Sequence, residues 1–83
     1  MASVKLFALS TCIHCRNTKN FLDDNKVEYE CVFVDSLQGD ERKSIVEEVK
    51  RHNQACSFPT IVIDGNKVII GFRKDDIREA LGL

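Results

Sequence analysis

The sequence predicts an α/β fold in which a four-stranded mixed sheet is covered by three helices in the order βαβαββα. Three features of its 83 residues carry that prediction. Short apolar runs alternate with amphipathic segments, the pattern of strand and crossover helix. Asp64-Gly65-Asn66 separates the last two apolar runs, and Asp-Gly readily takes the positive φ of a tight hairpin turn, which makes those strands antiparallel neighbours. Right-handed crossovers place the first two strands parallel, with the hairpin added to the same sheet.

Taken in order, "VKLFAL" (4 to 9) is nearly continuous apolar sequence and suits a strand covered on both faces. From about Ile13 to Asn25, Cys15, Thr18, Phe21 and Leu22 recur on one side at helical spacing, and Thr11 or Cys12 begins the helix. "VEYECVFVD" (27 to 35) is rich in β-branched and aromatic residues and reads as the second strand. Asp40 is the expected N-cap of a second helix, Glu41 to Asn53, with Ile45, Val46 and Val49 on its buried face. "TIVI" (60 to 63) and "KVII" (67 to 70) form the hairpin. Lys74 to Leu81 is a short helix that opens with two acids and stops at Gly82.

A chain of this length supports one hydrophobic core, so residues 1 to 83 are expected to form a single domain. Hydrophobic residues make up 43% and charged residues 30%, the composition of a globular protein. Twelve Lys and Arg against thirteen Asp and Glu leave a net charge of −1 with no run of like charge, which argues against nucleic acid or an anionic membrane as partner. No apolar run approaches the ~18 residues of a membrane span. Residues 1 to 11 lack the features of a secretion signal. A cytoplasmic monomer is the expectation, and in that compartment four cysteines point to redox or metal chemistry before permanent disulfides.

The chemistry centres on "STCIHC" (10 to 15), at the first strand-to-helix turn. That turn lies at the carboxyl edge of the sheet, where open α/β folds place their sites. A Cys-x-x-Cys opening a helix sets its first thiol beside unpaired backbone amides and the positive end of the helix dipole, both of which favour a thiolate. Cys12 is thus the candidate nucleophile and Cys15 the resolving thiol. His14 is a candidate for tuning the thiolate through its imidazole. Two alternatives stand beside the redox pair. A metal or iron–sulfur module would use Cys12 with Cys56 or His14, but Cys31 and Cys56 do not form a second closely spaced pair. A structural disulfide over so short a loop would constrain the chain little. "SFPT" (57 to 60) contains the single proline, Pro59. If its peptide bond is cis, the Phe58 backbone faces the cysteines and can pair with a substrate strand.

Together, "CIHC", "SFPT" and "DGNKVIIGF" within this element order resemble the glutaredoxin-like members of the thioredoxin superfamily over essentially the whole chain. The resemblance implies a thioredoxin-like fold and a thiol–disulfide oxidoreductase that carries electrons to protein disulfides. It implies Cys12 as nucleophile, Cys15 as resolving thiol, Pro59 as a cis-proline flanked by Phe58 and Thr60, and no bound organic cofactor. Glutathione or thioredoxin reductase is the implied electron source. Glutathione-using relatives usually carry a cation three residues before the first cysteine, where this chain has Leu9, and a Gly-Gly pair before acids, where it reads "IIGFRKDD". Lys5, Arg16, Lys67 and Arg73 are the candidate substitute cations. "GFRxD" (Gly71 to Asp75) is instead similar to NrdH-redoxins, which implies ribonucleotide reductase as a partner, although "IH" between the cysteines departs from their usual pair.

Ile13 falls off the buried helix face and is a candidate partner contact beside the cysteines. Gly71, Phe72 and Arg73 are candidate substrate contacts at the end of the hairpin. Cys31 is assigned to core packing, and Cys56 to a small buried position in preference to an auxiliary thiol. His52 receives no function.

Overall fold

The structure, a computed structural model, describes residues 3 to 83. Its elements are β1 (Val4–Ala8), α1 (Ile13–Asp24), β2 (Glu30–Phe33), a 3-10 turn (Val34–Ser36), α2 (Gly39–His52), β3 (Thr60–Ile63), β4 (Lys67–Ile70) and α3 (Lys74–Leu81). The strands form one mixed sheet in the order β2-β1-β3-β4. β1 runs parallel to β2 and antiparallel to β3, and β3 is antiparallel to β4.

Alternation along β1 divides the interior into two layers. Val4, Leu6 and Ala8 face α1 and α3, where they meet Cys15, Phe21, Leu22 and Ile77 together with Ile61 and Ile63 of β3. Phe7 and Val62 face the opposite way, onto Val49 of α2 and Val34. Each buried side chain of this size contributes about 1.5–3 kcal/mol by leaving water, so this small domain depends on a dozen or so of them. Lys5 lies on the α2 face of the central strand, and its Nζ meets Glu48 Oε2 of α2 at 2.9 Å.

The hairpin forms as its sequence requires. Asp64 and Gly65 both take positive φ (54° and 76°), and the Asn66 amide closes the turn on the Ile63 carbonyl at 3.2 Å. Gly82, at φ 70°, terminates α3.

Three boundaries differ from the sequence reading. β1 ends at Ala8 because the Leu9 carbonyl turns to accept the Cys12 amide at 3.2 Å. β2 covers only Glu30–Phe33. Closure of α1 uses Lys26, at φ 57°, with the Lys26 amide on the Asp23 carbonyl and the Val27 amide on the Leu22 carbonyl, each at 3.0 Å. Asp40 is not the cap of α2. The helix begins two residues earlier than expected, at Gly39 after Gln38, which makes no side-chain capping bond, and Asp40 sits in the first turn, where its charge suits the dipole.

Candidate active site

Two elements hold the cysteine loop. Leu9, the residue after β1, takes the Cys12 amide on its carbonyl, while Asp35, just beyond β2, accepts from Ser10: the backbone amide to Oδ1 at 3.0 Å and the hydroxyl to Oδ2. Cys12 is thereby left in extended conformation (φ −89°, ψ 121°) as the N-cap of α1, its Sγ accepting from the Cys15 amide at 3.4 Å. Cys15 lies one turn further in and only 2% exposed, with its Sγ accepting from the Leu9 amide at 3.5 Å. The two thiols are free. No acid occupies the first turn of α1 to offset the positive dipole end.

This geometry separates the two ionisations. At Cys12, partial burial opposes the thiolate. The Cys15 thiol and the backbone amides of Cys15 and His14 donate to the sulfur and outweigh that burial, holding its pKa below the ordinary thiol value. Burial pushes the Cys15 thiol up to about 12; the Cys12 hydrogen bond and charge add to that, with a smaller push from Cys31, against the opposing Leu9 amide. The two sulfurs of the pair thus differ in kind: Cys12 is favoured as a thiolate, and Cys15 is held as a thiol.

The β1–β3 ladder ends where Phe7 faces Thr60, and just before it Phe58 packs against the same buried cluster as Cys12 and, on the other layer, the same cluster as Leu9. The Phe58–Pro59 peptide bond is cis. The Gly71 amide donates to the Pro59 carbonyl at 2.9 Å, with Gly71 at φ 86°, so the end of the hairpin is tied to the same place.

The glutaredoxin family model matches residues 4–68, most of the chain. The chain belongs to the glutaredoxin family. It is 34% identical over 74 residues to an uncharacterized glutaredoxin-like 8.6 kDa protein in the rubredoxin operon of Clostridium pasteurianum, covering 89% of this chain and 91% of that one. Among solved structures, Methanosarcina acetivorans methanoredoxin superposes with a TM-score of 0.95 at 42% identity, over 98% of this chain and 85% of the other. The glutaredoxin of Methanosarcina mazei Go1 gives 0.92 at 46% identity, over 98% and 79%. Thiol–disulfide exchange is the general chemistry of the glutaredoxin family, and the thioredoxin-like fold is the one observed.

Within this glutaredoxin framework the expected site residues separate. Ile13 is 59% exposed beside Cys12. His14 is exposed and its imidazole makes no hydrogen bond among the described residues; its influence on Cys12 comes from the backbone amide. Thr60 is fully buried with its hydroxyl donating to the Ser57 carbonyl at 2.7 Å, so its side chain is turned away from any substrate. Phe72 packs edge-on against Phe21, centroids 6.0 Å apart, and joins the start of α3 to α1. Arg73 Nε donates to the Ile70 carbonyl at 3.3 Å, and the side chain lines a groove of about 610 Å³ between β4 and α3 with Lys67, Ile70 and Asp76. That groove contains no cysteine. A smaller cleft of about 200 Å³, on the β2 side of α1, is lined by Leu9, Ser10, Cys12, Cys15, Arg16, Lys19 and Phe33, and the thiols identify it as the relevant one.

Of the four substitute cations, only Arg16 lines that cleft; Lys5 is engaged with Glu48, and Lys67 and Arg73 belong to the β4 groove. Lys19 also lines it, held by Asp23 at 3.2 Å. Cys31 is half-buried against the α1 layer and burial raises its pKa; Cys56 packs at the edge of the α2 layer, at φ 51°. Among the described residues, no three His, Cys, Asp or Glu side chains gather closely enough to hold a metal ion, so the metal reading would need ligands from elsewhere.

Sequence reasoning missed Asp35 and Asn53. Asp35 carried no signal, since a lone acid after a strand is common. Asn53 did carry one: Val46, Val49 and Asn53 continue one helical stripe, so the asparagine occupies a position where packing alone would put an apolar side chain.

Proposed function

We propose that this protein is a cytoplasmic dithiol–disulfide oxidoreductase that reduces protein disulfides. The observation that supports it most is the opposed tuning of two thiols one helical turn apart, Cys12 lowered and Cys15 raised.

The Cys12 thiolate attacks one sulfur of the substrate disulfide, forming a mixed disulfide and releasing the other sulfur as a thiolate that takes a proton from water. Cys15 then gives up its proton and attacks the Cys12 sulfur. A Cys12–Cys15 disulfide forms, and the second substrate thiol leaves. Two electrons pass from the pair to the substrate. Once Cys12 is in a mixed disulfide its negative charge is gone, which removes one of the influences holding Cys15 protonated.

Phe58 and Pro59 serve as the backbone partner for the substrate strand, Ile13 as an apolar contact, and Arg16 as the cation beside the reacting sulfurs. Glutathione or thioredoxin reductase restores the dithiol, and the disulfide of a ribonucleotide reductase is one candidate substrate. The protein acts as a monomer and needs no bound cofactor.

The test is disulfide turnover. Cys12→Ser abolishes it and Cys15→Ser accumulates a mixed disulfide visible by mass spectrometry; an active Cys12→Ser variant would overturn the reading. Comparing glutathione plus glutathione reductase with thioredoxin reductase identifies the electron source.

A further inference from the structure

The approach to β3 is held by one buried side chain. Asn53 closes α2, its amide bonded to the Val49 carbonyl at 2.7 Å, and is only 5% exposed. Both ends of its carboxamide are engaged, the two Nδ2 hydrogens shared among three oxygens and Oδ1 taking one amide. Nδ2 donates to the Ser57 carbonyl (3.2 Å), the Ser57 hydroxyl (3.0 Å) and the Thr60 hydroxyl (3.2 Å), and Oδ1 accepts from the Ala55 amide (3.2 Å). Its backbone carbonyl accepts the Cys56 amide at 2.9 Å. Thr60 completes the ring by donating to the Ser57 carbonyl.

These contacts all fall between residues 55 and 60, the segment that leads into Phe58 and Pro59. Burying an amide without partners costs several times what one such bond returns, so a polar side chain here stays buried only while this loop keeps its shape. The loop is itself conformationally costly: Cys56 sits in the left-handed region at φ 51°, which a non-glycine residue holds only where its surroundings impose it. Asn53 supplies that imposition through the Cys56 and Ala55 amides.

We propose that Asn53 is a positioning residue for disulfide exchange: it sets the Ser57-Phe58-Pro59 backbone beside Leu9 so that a protein substrate's strand delivers its disulfide to Cys12. The proposal rests on the reading of Cys12 as the exchanging thiol. Asn53 never touches substrate. Its effect is confined to substrates that use the Phe58 backbone, and a small disulfide that needs only the Cys12 sulfur is indifferent to it.

The experiment compares single-turnover oxidation of the prereduced protein by insulin and by bis(2-hydroxyethyl) disulfide, followed by acid quenching and thiol alkylation. Asn53→Ala and Thr60→Val, the second removing only the hydroxyl link at nearly constant volume, are set beside wild type. The insulin rate falls about tenfold in both variants, as expected for loss of a buried hydrogen-bonded link. The small-disulfide rate and the pH titration of the Cys12 thiolate absorbance stay at wild-type values. Equal loss with both disulfides, or an undiminished insulin rate in the folded Thr60→Val variant, would overturn the proposal. Wild-type protein inert towards both disulfides would instead overturn the oxidoreductase reading beneath it.

Discussion

The backbone amide of Cys15 points at the Sγ of Cys12 from 3.4 Å, and the Cys15 thiol donates to the same sulfur. The second cysteine therefore stabilises the first as a thiolate before any substrate arrives. Replacing the thiol with a methyl removes one donor and leaves the amide. The Cys12 titration, read from thiolate absorbance, moves to higher pH in Cys15→Ala than in Cys15→Ser, where a hydroxyl can still donate.

The two cysteines make stability depend on pH in opposite directions. Cys12, lowered in the folded chain, contributes stability at high pH that fades as pH falls through its lowered pKa. Cys15, raised from about 9 to about 12, contributes stability that is intact below about pH 9 and is lost as pH rises towards 12. The urea midpoint of the reduced wild-type protein should fall more steeply above about pH 9 than that of Cys15→Ser. Parallel curves for the two proteins would contradict the burial argument.

Asp35 is held below the ordinary carboxylate range, first by the Ser10 hydroxyl and then by the Ser10 amide. Its contribution is therefore present near neutral pH and lost as pH falls through that lowered value. Asp35→Asn should unfold at lower urea concentration than wild type at neutral pH, and the gap between them should narrow in acid.

Leu22 anchors α1 to the sheet and is completely buried. Leu22→Ala should lower the unfolding free energy by about 3 kcal/mol, read from chemical denaturation. Because this site lies nearly three turns along α1 from Cys12, the folded fraction of the variant should retain the wild-type Cys12 titration.

The Lys5–Glu48 pair joins the central strand to α2 with side chains 29% and 33% exposed. A double-mutant cycle to alanine should give a coupling of about 0.5–1 kcal/mol that shrinks with added salt. A coupling insensitive to salt would mean that the pair acts through packing of the lysine stem over Phe7, whose ring centroid lies 5.2 Å from the ammonium.

Much of this was legible in the sequence because it rests on local rules. Asp64-Gly65 dictates its own turn, the apolar stripe of α1 dictates which face is buried, and a cysteine spacing at a helix start dictates where a thiolate forms. What escaped is what depends on partners far along the chain. Ser10 and Asp35 are 25 residues apart, and nothing in either neighbourhood announces the other. The left-handed Lys26 that shortens β2 has no glycine to mark it. The position of Arg16 beside the thiols, unlike Lys67 and Arg73, follows from which way α1 rolls on the sheet.

Under the proposed mechanism Cys12 carries two duties on one atom: the attacking sulfur is also the acceptor that caps the first turn of α1. In that mechanism oxidation replaces an anionic acceptor with a neutral one, so the hydrogen bond that caps α1 weakens when the disulfide forms and strengthens again on reduction. By a thermodynamic cycle, the difference in unfolding free energy between the reduced and oxidised forms equals the amount by which folding shifts the oxidising strength of the Cys12–Cys15 couple. Calorimetry on the two forms thus measures an electrochemical property of this protein without an electrode, and the helix start is where the two quantities meet.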